Sequence, residues 1–428
     1  MKFIHAADIH LDSPLEGLER YEGAPVDLIR GATRRALENL VALAVRERVD
    51  FVVIAGDLYD GDWRDFNTGM FFIRQMNKLC EAGIRLYLIA GNHDAANNMT
   101  RKLRLPVNPG GDTVMLSHEQ PETRRLEDLG VAIHGRSFAN QAEKQNMVPD
   151  YPTPVSHWFN LGILHTSLIG SDGGHDTYAP CTPTDLRSKG YDYWALGHIH
   201  KRSLLPGEGS PLVPPPILYS GNIQGRHIRE PGARGCFLVT VDQRQQMEIE
   251  FRPLDVFRWE VCVVSCVGCS TTDEILERFR DSLRSLLATH DRLPLGVRVR
   301  LEGPTTAHQR LTSQRTAITA EIRSTATTVS DGQAWIEQVR IATQEPIAKA
   351  SPELAEGPLA ELERYFDELP GNDQAIAQLT EELKDLAKKL PAELMLPPDG
   401  LQLDNPDWIR EIVRELKPML MDRFGGTK

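Results

Sequence analysis

Through the first 255 residues, short apolar runs alternate with stretches of helical periodicity. Lys2–Ala7, Asp50–Ala55, Arg85–Ala90, Val131–His134, Asn160–His165, Tyr191–Leu196, Ile217–Tyr219 and Cys236–Val241 read as strands. Within Val26–Arg48, the residues Ile29, Ala36, Leu37, Leu40, Val41 and Ala44 recur at helical spacing, and Thr68–Ala82 repeats the pattern. Strand–helix–strand alternation predicts an α/β domain with buried sheets over residues 1–255. A Pro/Gly-rich stretch from Leu205 to Pro216 predicts a surface loop inside it.

The texture changes from about Phe257. Trp259–Cys266, Gly296–Leu301 and Ala334–Ile341 read as strands, with helices over Asp273–Thr289 and Ser313–Thr328, which predicts a second, smaller α/β module over 256–344. Glu345–Pro358, with its prolines and small residues, reads as a linker opening the region 345–428. In that tail Ile376, Leu379, Leu383, Leu386 and Leu390 place an apolar stripe on one helix face. Asn405-Pro406 supplies an N-cap with proline at the first helical position, before a helix that carries Trp408, Ile409, Ile412, Val413, Leu416 and Leu420 inward. Two readings of the tail follow: a hairpin packed on its own domain, or a docking surface for another protein's helices.

A chain of 428 residues fits two or three domains, and 41% hydrophobic residues suffice for a large core. The net charge of −12 argues against coating nucleic acid through bulk positive charge. That charge is unevenly spread: residues 345–428 hold 10 Lys+Arg and 18 Asp+Glu, and so carry −8 of it. Asp8 interrupts the N-terminal apolar run, so no signal peptide is expected. No apolar stretch approaches the roughly 18 residues of a membrane span. Six thinly spread cysteines are no disulfide framework and fit a reducing cytoplasm. Cys262, Cys266 and Cys269 lack a nearby fourth cysteine and read as core rather than a cluster site.

Metal-binding side chains concentrate in five segments, each at a predicted strand end: Asp8-Ile-His10, Gly56-Asp57-Leu-Tyr-Asp60, Gly91-Asn92-His93-Asp94, His165, and Gly197-His198-Ile-His200. Ligands of open α/β sheets bind beyond the carboxyl ends of strands, so the five can converge. Carboxylate, amide oxygen and neutral imidazole suit borderline-hard divalent ions such as Mn²⁺, Fe²⁺ or Zn²⁺, and the absence of thiolate argues against a structural zinc cage. Seven such side chains, one of them a carboxylate able to bridge, can hold two ions. Such a pair acidifies water and clamps an in-line phosphoryl displacement, which makes the site a phosphoester hydrolase. Two ions would outweigh the charge of Asp8 and Asp57, so the catalytic face could attract phosphate even in an acidic chain. His93 adjoins a ligand and can be cationic near neutral pH, as a general acid must be.

These segments resemble, in order and with none missing, the five signature motifs of the calcineurin-like metallophosphoesterase superfamily. The resemblance implies an α/β fold, a two-sheet metallophosphoesterase sandwich flanked by helices, with a small α/β capping domain over 256–344 and a helical C-terminal tail. It implies that Asp8, His10 and His200 hold one ion, that Asn92, His165 and His198 hold the other, and that Asp57 bridges them. It casts His93 as the acid that protonates the leaving alkoxide, with Asp94 orienting it. Lys2–Leu11, Gly56–Asp60 and Tyr219-Ser-Gly-Asn-Ile-Gln-Gly-Arg-His227 resemble the DNA repair exonuclease branch, in particular its SbcD/YhaO-like nuclease subunits. That likeness implies two divalent ions, Mn²⁺ by preference, DNA as substrate, a homodimer, and a tail that grips an SMC/ABC-type coiled-coil ATPase. Archaeal and eukaryotic members of the branch carry a histidine where this chain has Asp60. Arg226 and His227 are candidate DNA-phosphate contacts, and Arg298, Arg300, Arg310, Arg315 and Arg323 add positive charge to the second module. The competing reading is a phosphatase or phosphodiesterase acting on small molecules, for which the second module and tail have no evident use.

Overall fold

A computed structural model describes residues 1–13, 23–60, 66–96, 104–169, 177–205, 214–290, 293–346, 358–387, 389–390 and 401–425. Residues 206–213 of the expected surface loop, and 347–357 of the expected linker, lie outside that set. The chain divides into two compact units, Met1–Glu260 with Arg292–Gly296, and Val261–Asp291 with Val297–Lys428.

The first unit is built on two sheets, with elements numbered in chain order. One sheet joins β1 (Lys2–Ala6), β2 (Phe51–Ala55), β3 (Arg85–Ile89), β10 (Gly235–Val241) and β11 (Met247–Pro253) in the order β11-β10-β1-β2-β3. The other joins β4 (Glu122–Leu126), β5 (Val131–Gly135), β6 (Phe159–His165), β7 (Tyr193–Gly197), β8 (Ser203–Leu205) and β9 (Ile217–Tyr219) in the order β4-β5-β6-β7-β9-β8. β1, β2 and β3 run parallel, as do β5, β6, β7 and β9. Because side chains alternate across a strand, each sheet has two apolar faces to cover. Phe3, Phe51, Val53, Tyr87 and Ile89 of the first sheet meet Ile133, Leu161, Ile163, Tyr193 and Ala195 of the second in one core. The opposite face of the first sheet (Ile4, Val52, Ile54, Leu86) is covered by Leu37 and Leu40 of α2 (Ala32–Glu47) and by Phe72 and Met76 of α3 (Phe66–Glu81). The outer face of the second sheet buries Trp194, Leu196 and Tyr219 against Phe138, Tyr151 and Leu186. This is the helix-flanked sandwich that the resemblance implied.

Three strands escape the sequence pattern: β4, β8 and β11. All lie at sheet edges, where one side is open to water, and β4 (Glu-Thr-Arg-Arg-Leu) and β11 (Met-Glu-Ile-Glu-Phe-Arg-Pro) carry the charge such edges tolerate. The helix expected over Val26–Arg48 is two, α1 (Val26–Arg30) and α2, meeting at Gly31.

β12 (Arg258–Ser265), β13 (Leu295–Pro304) and β14 (Ala334–Gln344) form a three-stranded sheet, most of whose residues belong to the second unit. α6 (Thr272–Ala288) and α8 (Arg315–Ser330) pack on each other, and α8 packs on β14; a short α7 (His308–Ser313) precedes α8. Cys262 and Cys266 are buried, and burial pushes both thiols up to about 11, so both stay protonated. Two arginines expected to lend positive charge are already paired: Arg298 is buried against Glu337, with a Nη2–Oε1 distance of 2.6 Å, and Arg300 meets Glu302.

The tail contributes α9 (Pro358–Glu368), which the sequence pattern misses, α10 (Asp373–Ala387) and α11 (Pro406–Gly425). The expected cap is present, with Asn405 Oδ1 accepting from the amide of Asp407 at 3.0 Å. Ile376, Leu379 and Leu383 of the apolar stripe pack within the tail, against Trp408, Ile409 and Val413. Leu416, expected to face inward, is 40% exposed, and Leu386 is 47% exposed. No helix among the described residues is long and apolar enough to cross a membrane.

Candidate active site

The five motif segments all sit at the carboxyl ends of parallel strands, three from one sheet and two from the other. Asp8 and His10 follow β1, Asp57 follows β2, and Asn92 follows β3; His165 ends β6, and His198 and His200 follow β7. The turns after β1 and β2 run side by side, with the Asp8 amide on the Gly56 carbonyl at 3.0 Å and the His10 amide on the Asp57 carbonyl at 3.1 Å. β6 and β7 are in register at His165 and Gly197, so both of their ends reach the same level.

Backbone strain marks the same residues. Among the ten described non-glycine residues with positive φ, four are predicted ligands: Asp8 (51°), His10 (43°), Asp57 (52°) and His198 (100°). Such conformations cost about 1–3 kcal/mol each and persist where the surroundings over-determine them. Space is equally tight. A Cβ at Gly91 would lie 2.3 Å from Asp57 Oδ1 and 2.8 Å from His165 Cε1, and one at Gly197 would lie 2.0 Å from the Ala55 carbonyl oxygen. Gly91→Ala is therefore expected to displace Asp57 and His165, weakening Mn²⁺ binding at least about tenfold, with the far-ultraviolet dichroism unchanged. Calorimetric Mn²⁺ titration of the variant against the wild type measures this.

The buried side chains converge as acceptors. Ligand atoms of Asp8, His10 and His200 lie within 4.8 Å of one another, as do those of Asp8, Asp57 and His165. His10 Nε2 and His200 Nε2 are 3.1 Å apart. Asp57 Oδ2 stands 3.4 Å from His165 Nε2 and 3.8 Å from His10 Nε2, between the two groups. His165 donates through Nδ1 to the Ala55 carbonyl at 2.9 Å, which in the neutral ring turns the Nε2 lone pair toward Asn92 Oδ1 at 3.0 Å. Lone pairs facing lone pairs in a buried cleft are what a divalent cation satisfies, so the residues fit the two-ion reading. The His198 ring packs 5.3 Å from that of His165, centroid to centroid.

Without a cation, protons must supply the missing charge. Burial disfavours a charged His165, but Asp57 outweighs it and lifts the ring to about 9. Burial opposes ionised Asp57 in turn, yet the charge and hydrogen bond of His165 hold it well below the usual carboxylate range. Burial, reinforced by Arg226, pushes His10 down to about 3, leaving its imidazole neutral.

His93 is less enclosed, with 35% of its side chain exposed, and its Nδ1 lies 3.1 Å from Asp60 Oδ1. Burial lowers its pKa, but the Asp60 hydrogen bond and the charges of Asp57 and Asp60 reverse this and raise it. Asp94 does not occupy the expected orienting place. Its carboxylate accepts from the backbone amides of Leu58, Tyr59 and Gly91, at 3.0–3.2 Å, and so ties the turns after β2 and β3 together. Burial, then Asp57, pushes Asp94 up to about 7. The carboxylate that meets His93 is Asp60, three residues after Asp57 in the second motif segment.

Arg226, expected on DNA phosphate, has its guanidinium engaged instead by Asp60 Oδ2 (3.0 Å) and Glu230 Oε1 (3.2 Å), with 12% of the side chain exposed. His227 is 38% exposed at the side chain, and its Nε2 is 3.9 Å from Glu230 Oε1. Glu230 itself carries no sequence signal. It lies in a loop before β10, is 5% exposed, and accepts from His200 Nδ1 at 2.7 Å.

Residues 1–202 match the calcineurin-like phosphoesterase family, and residues 259–344 match the family described as metallophosphoesterase YhaO, middle domain. The chain is 35% identical over 306 residues to the uncharacterized metallophosphoesterase YhaO of Bacillus subtilis (strain 168), covering 71% of this chain and 72% of the relative. It is 28% identical over 311 residues to the DNA double-strand break repair protein Mre11 of Methanopyrus kandleri, covering 65% of this chain and 62% of that protein. With Mre11 of Sulfurisphaera tokodaii the identity is 23%, covering 54% and 58%. The chain thus spans about three-fifths of the length of these archaeal relatives.

Proposed function

The chain belongs to the YhaO family of calcineurin-like metallophosphoesterases, hydrolases acting on phosphoester bonds, and from that premise we propose a dinuclear-metal DNA exo/endonuclease, the nuclease subunit of a DNA repair complex with an SMC/ABC-type ATPase. The observation that carries the proposal is the convergence of acceptor atoms from all five motif segments beside an acid–carboxylate pair, His93 and Asp60. Likeness to the archaeal Mre11 proteins covers more of the chain than the 202 residues of the phosphoesterase match, which supports DNA over a small phosphoester.

Asp8, His10 and His200 would hold one ion, Asn92, His165 and His198 the other, with Asp57 shared. Two divalent ions of the Mn²⁺ type, when bound, acidify water and offset the charge of a phosphodiester. The protein's own part is positioning and proton supply. The amides of Leu58, Tyr59 and Gly91 on Asp94 fix the two turns that carry Asp57 and Asn92. Asp60 holds His93 by Nδ1, so the proton on Nε2 is the one available to a departing 3′ or 5′ alkoxide. The exposed fraction of His93 lets a strand reach it, whereas Asp8, Asp57 and His165 stay out of water.

The test is Mn²⁺-dependent cleavage of end-labelled DNA, with and without a free 3′ end, measured against nucleotide and simple phosphoester substrates. DNA is expected to be cut with the higher kcat/KM. A preference for mononucleotides or monoesters would move the chain to the small-molecule reading. The ATPase half is tested by capturing an SMC/ABC ATPase with the full chain and with a chain ending before Leu359, which is expected to lose it.

A further inference from the structure

His200 stands between two competing partners. Its Nδ1 is 2.7 Å from Glu230 Oε1 and 3.1 Å from Arg226 Nη2, while its Nε2 faces His10 Nε2 at 3.1 Å. The two partners impose opposite tautomers. A carboxylate can only accept, so with Glu230 the proton sits on Nδ1 and the Nε2 lone pair points at Asp8 and His10. A guanidinium can only donate, so with Arg226 the Nδ1 atom must accept and the proton moves to Nε2, where it blocks ligation.

Glu230 is built to win this competition. Its Oε2 accepts from Asn222 Nδ2 at 2.9 Å and from the Arg226 amide at 2.8 Å, so the carboxylate cannot turn away. Oε1 also takes Arg226 Nη2 at 3.2 Å, and Asp60 Oδ2 takes Nη1 at 3.0 Å, which gives the guanidinium acceptors other than His200. From these contacts we propose that Glu230 is a positioning residue of the metal site, holding His200 as its Nδ1–H tautomer against Arg226. Arg226 thereby links the carboxylate that holds His200 to Asp60, the carboxylate that holds His93. A hydrogen-bonded carboxylate behind a ligating histidine orients the ring and raises its basicity, and its loss costs about 10–100-fold in metal affinity.

This inference rests on the two-ion reading of the site, and the experiment separates the two. The full chain is titrated with Mn²⁺ by calorimetry and by electron paramagnetic resonance. Wild type is expected to take up two ions; fewer than two would overturn the dinuclear reading itself. Glu230→Ala is expected to weaken one ion about 10–100-fold and leave the other near its wild-type affinity. Glu230→Gln, whose Oε1 still accepts from Nδ1, is expected to recover most of the loss. Adding Arg226→Met to Glu230→Ala is expected to recover part of it, because the competing donor is gone. Two unchanged ions in Glu230→Ala, or equal losses in the Ala and Gln variants, would overturn the role of Glu230. Should Glu230→Ala not fold, the metal-free wild type decides: in ¹⁵N-histidine spectra, the His200 signal, assigned by its absence from His200→Asn, is expected to carry its proton on Nδ1. A proton on Nε2 would refute the proposal.

Discussion

Asp57→Ala is expected to abolish high-affinity uptake of both Mn²⁺ ions and, with it, hydrolysis. Loss of a residue behind a ligand already costs about 10–100-fold in affinity, and Asp57 lies in front, between His165 at 3.4 Å and His10 at 3.8 Å. Its Oδ1 also accepts the His93 amide at 3.0 Å, so the variant loosens the acid as well as the metal site. The effect has a pH signature. In the metal-free protein Asp57 is the main cause that lifts His165 to about 9 against burial, so below that pH a cation must displace a proton. Wild-type Mn²⁺ affinity is therefore expected to rise with pH, by up to about tenfold per unit, and to level off near pH 9. Calorimetric titration across pH 6–9.5 reads both effects, and two ions bound normally by Asp57→Ala would refute the bridging role.

His93→Ala is expected to keep two ions and lose about 10²–10⁴-fold in DNA hydrolysis, the contribution of a positioned general acid. The loss should depend on the leaving group. An alkoxide leaving from DNA needs the proton, whereas a nitrophenolate is stable without it, so the nitrophenyl diester should lose far less. Asp60→Asn leaves the histidine in place but removes the charge and hydrogen bond that raise it, leaving burial unopposed by Asp60. The acid is then deprotonated at lower pH, and the alkaline limb of kcat/KM for DNA should shift downward. Near-normal DNA turnover in His93→Ala, or equal losses on both substrates, would sink the acid assignment.

The expectations and the structure part company at particular residues. The strands β1, β2, β3, β6 and β7 were legible because buried parallel strands are nearly continuous apolar runs, whereas β4 and β11 alternate charge with apolar residues at an edge. The tail stripe was legible as a helix, but not that Ile376, Leu379 and Leu383 are covered by Trp408, Ile409 and Val413 of the same tail. That packing covers one side of the stripe within the tail and leaves Leu386 and Leu416 among its exposed apolar residues.

In the site, the sequence by itself named a candidate donor set and determined its place at the strand ends. Ligand chemistry is a property of residue type, and a turn after a parallel strand sets position locally, so Asp8, His10, Asp57, Asn92, His165, His198 and His200 could be named without coordinates. Which carboxylate serves which histidine was decided only by the tertiary structure. The resemblance cast Asp94 as the partner of His93, yet the Asp94 carboxylate is held by three backbone amides and Asp60 takes the ring. Glu230 reaches His200 across 30 residues of chain, and Arg226 spans from Glu230 to Asp60 across 166. A hydrogen bond is won by the acceptor that lies within about 3 Å at the right angle, and separate loops acquire that relation only when the strands that carry them pair, as β2 and β3 do, and the loops fold over their ends.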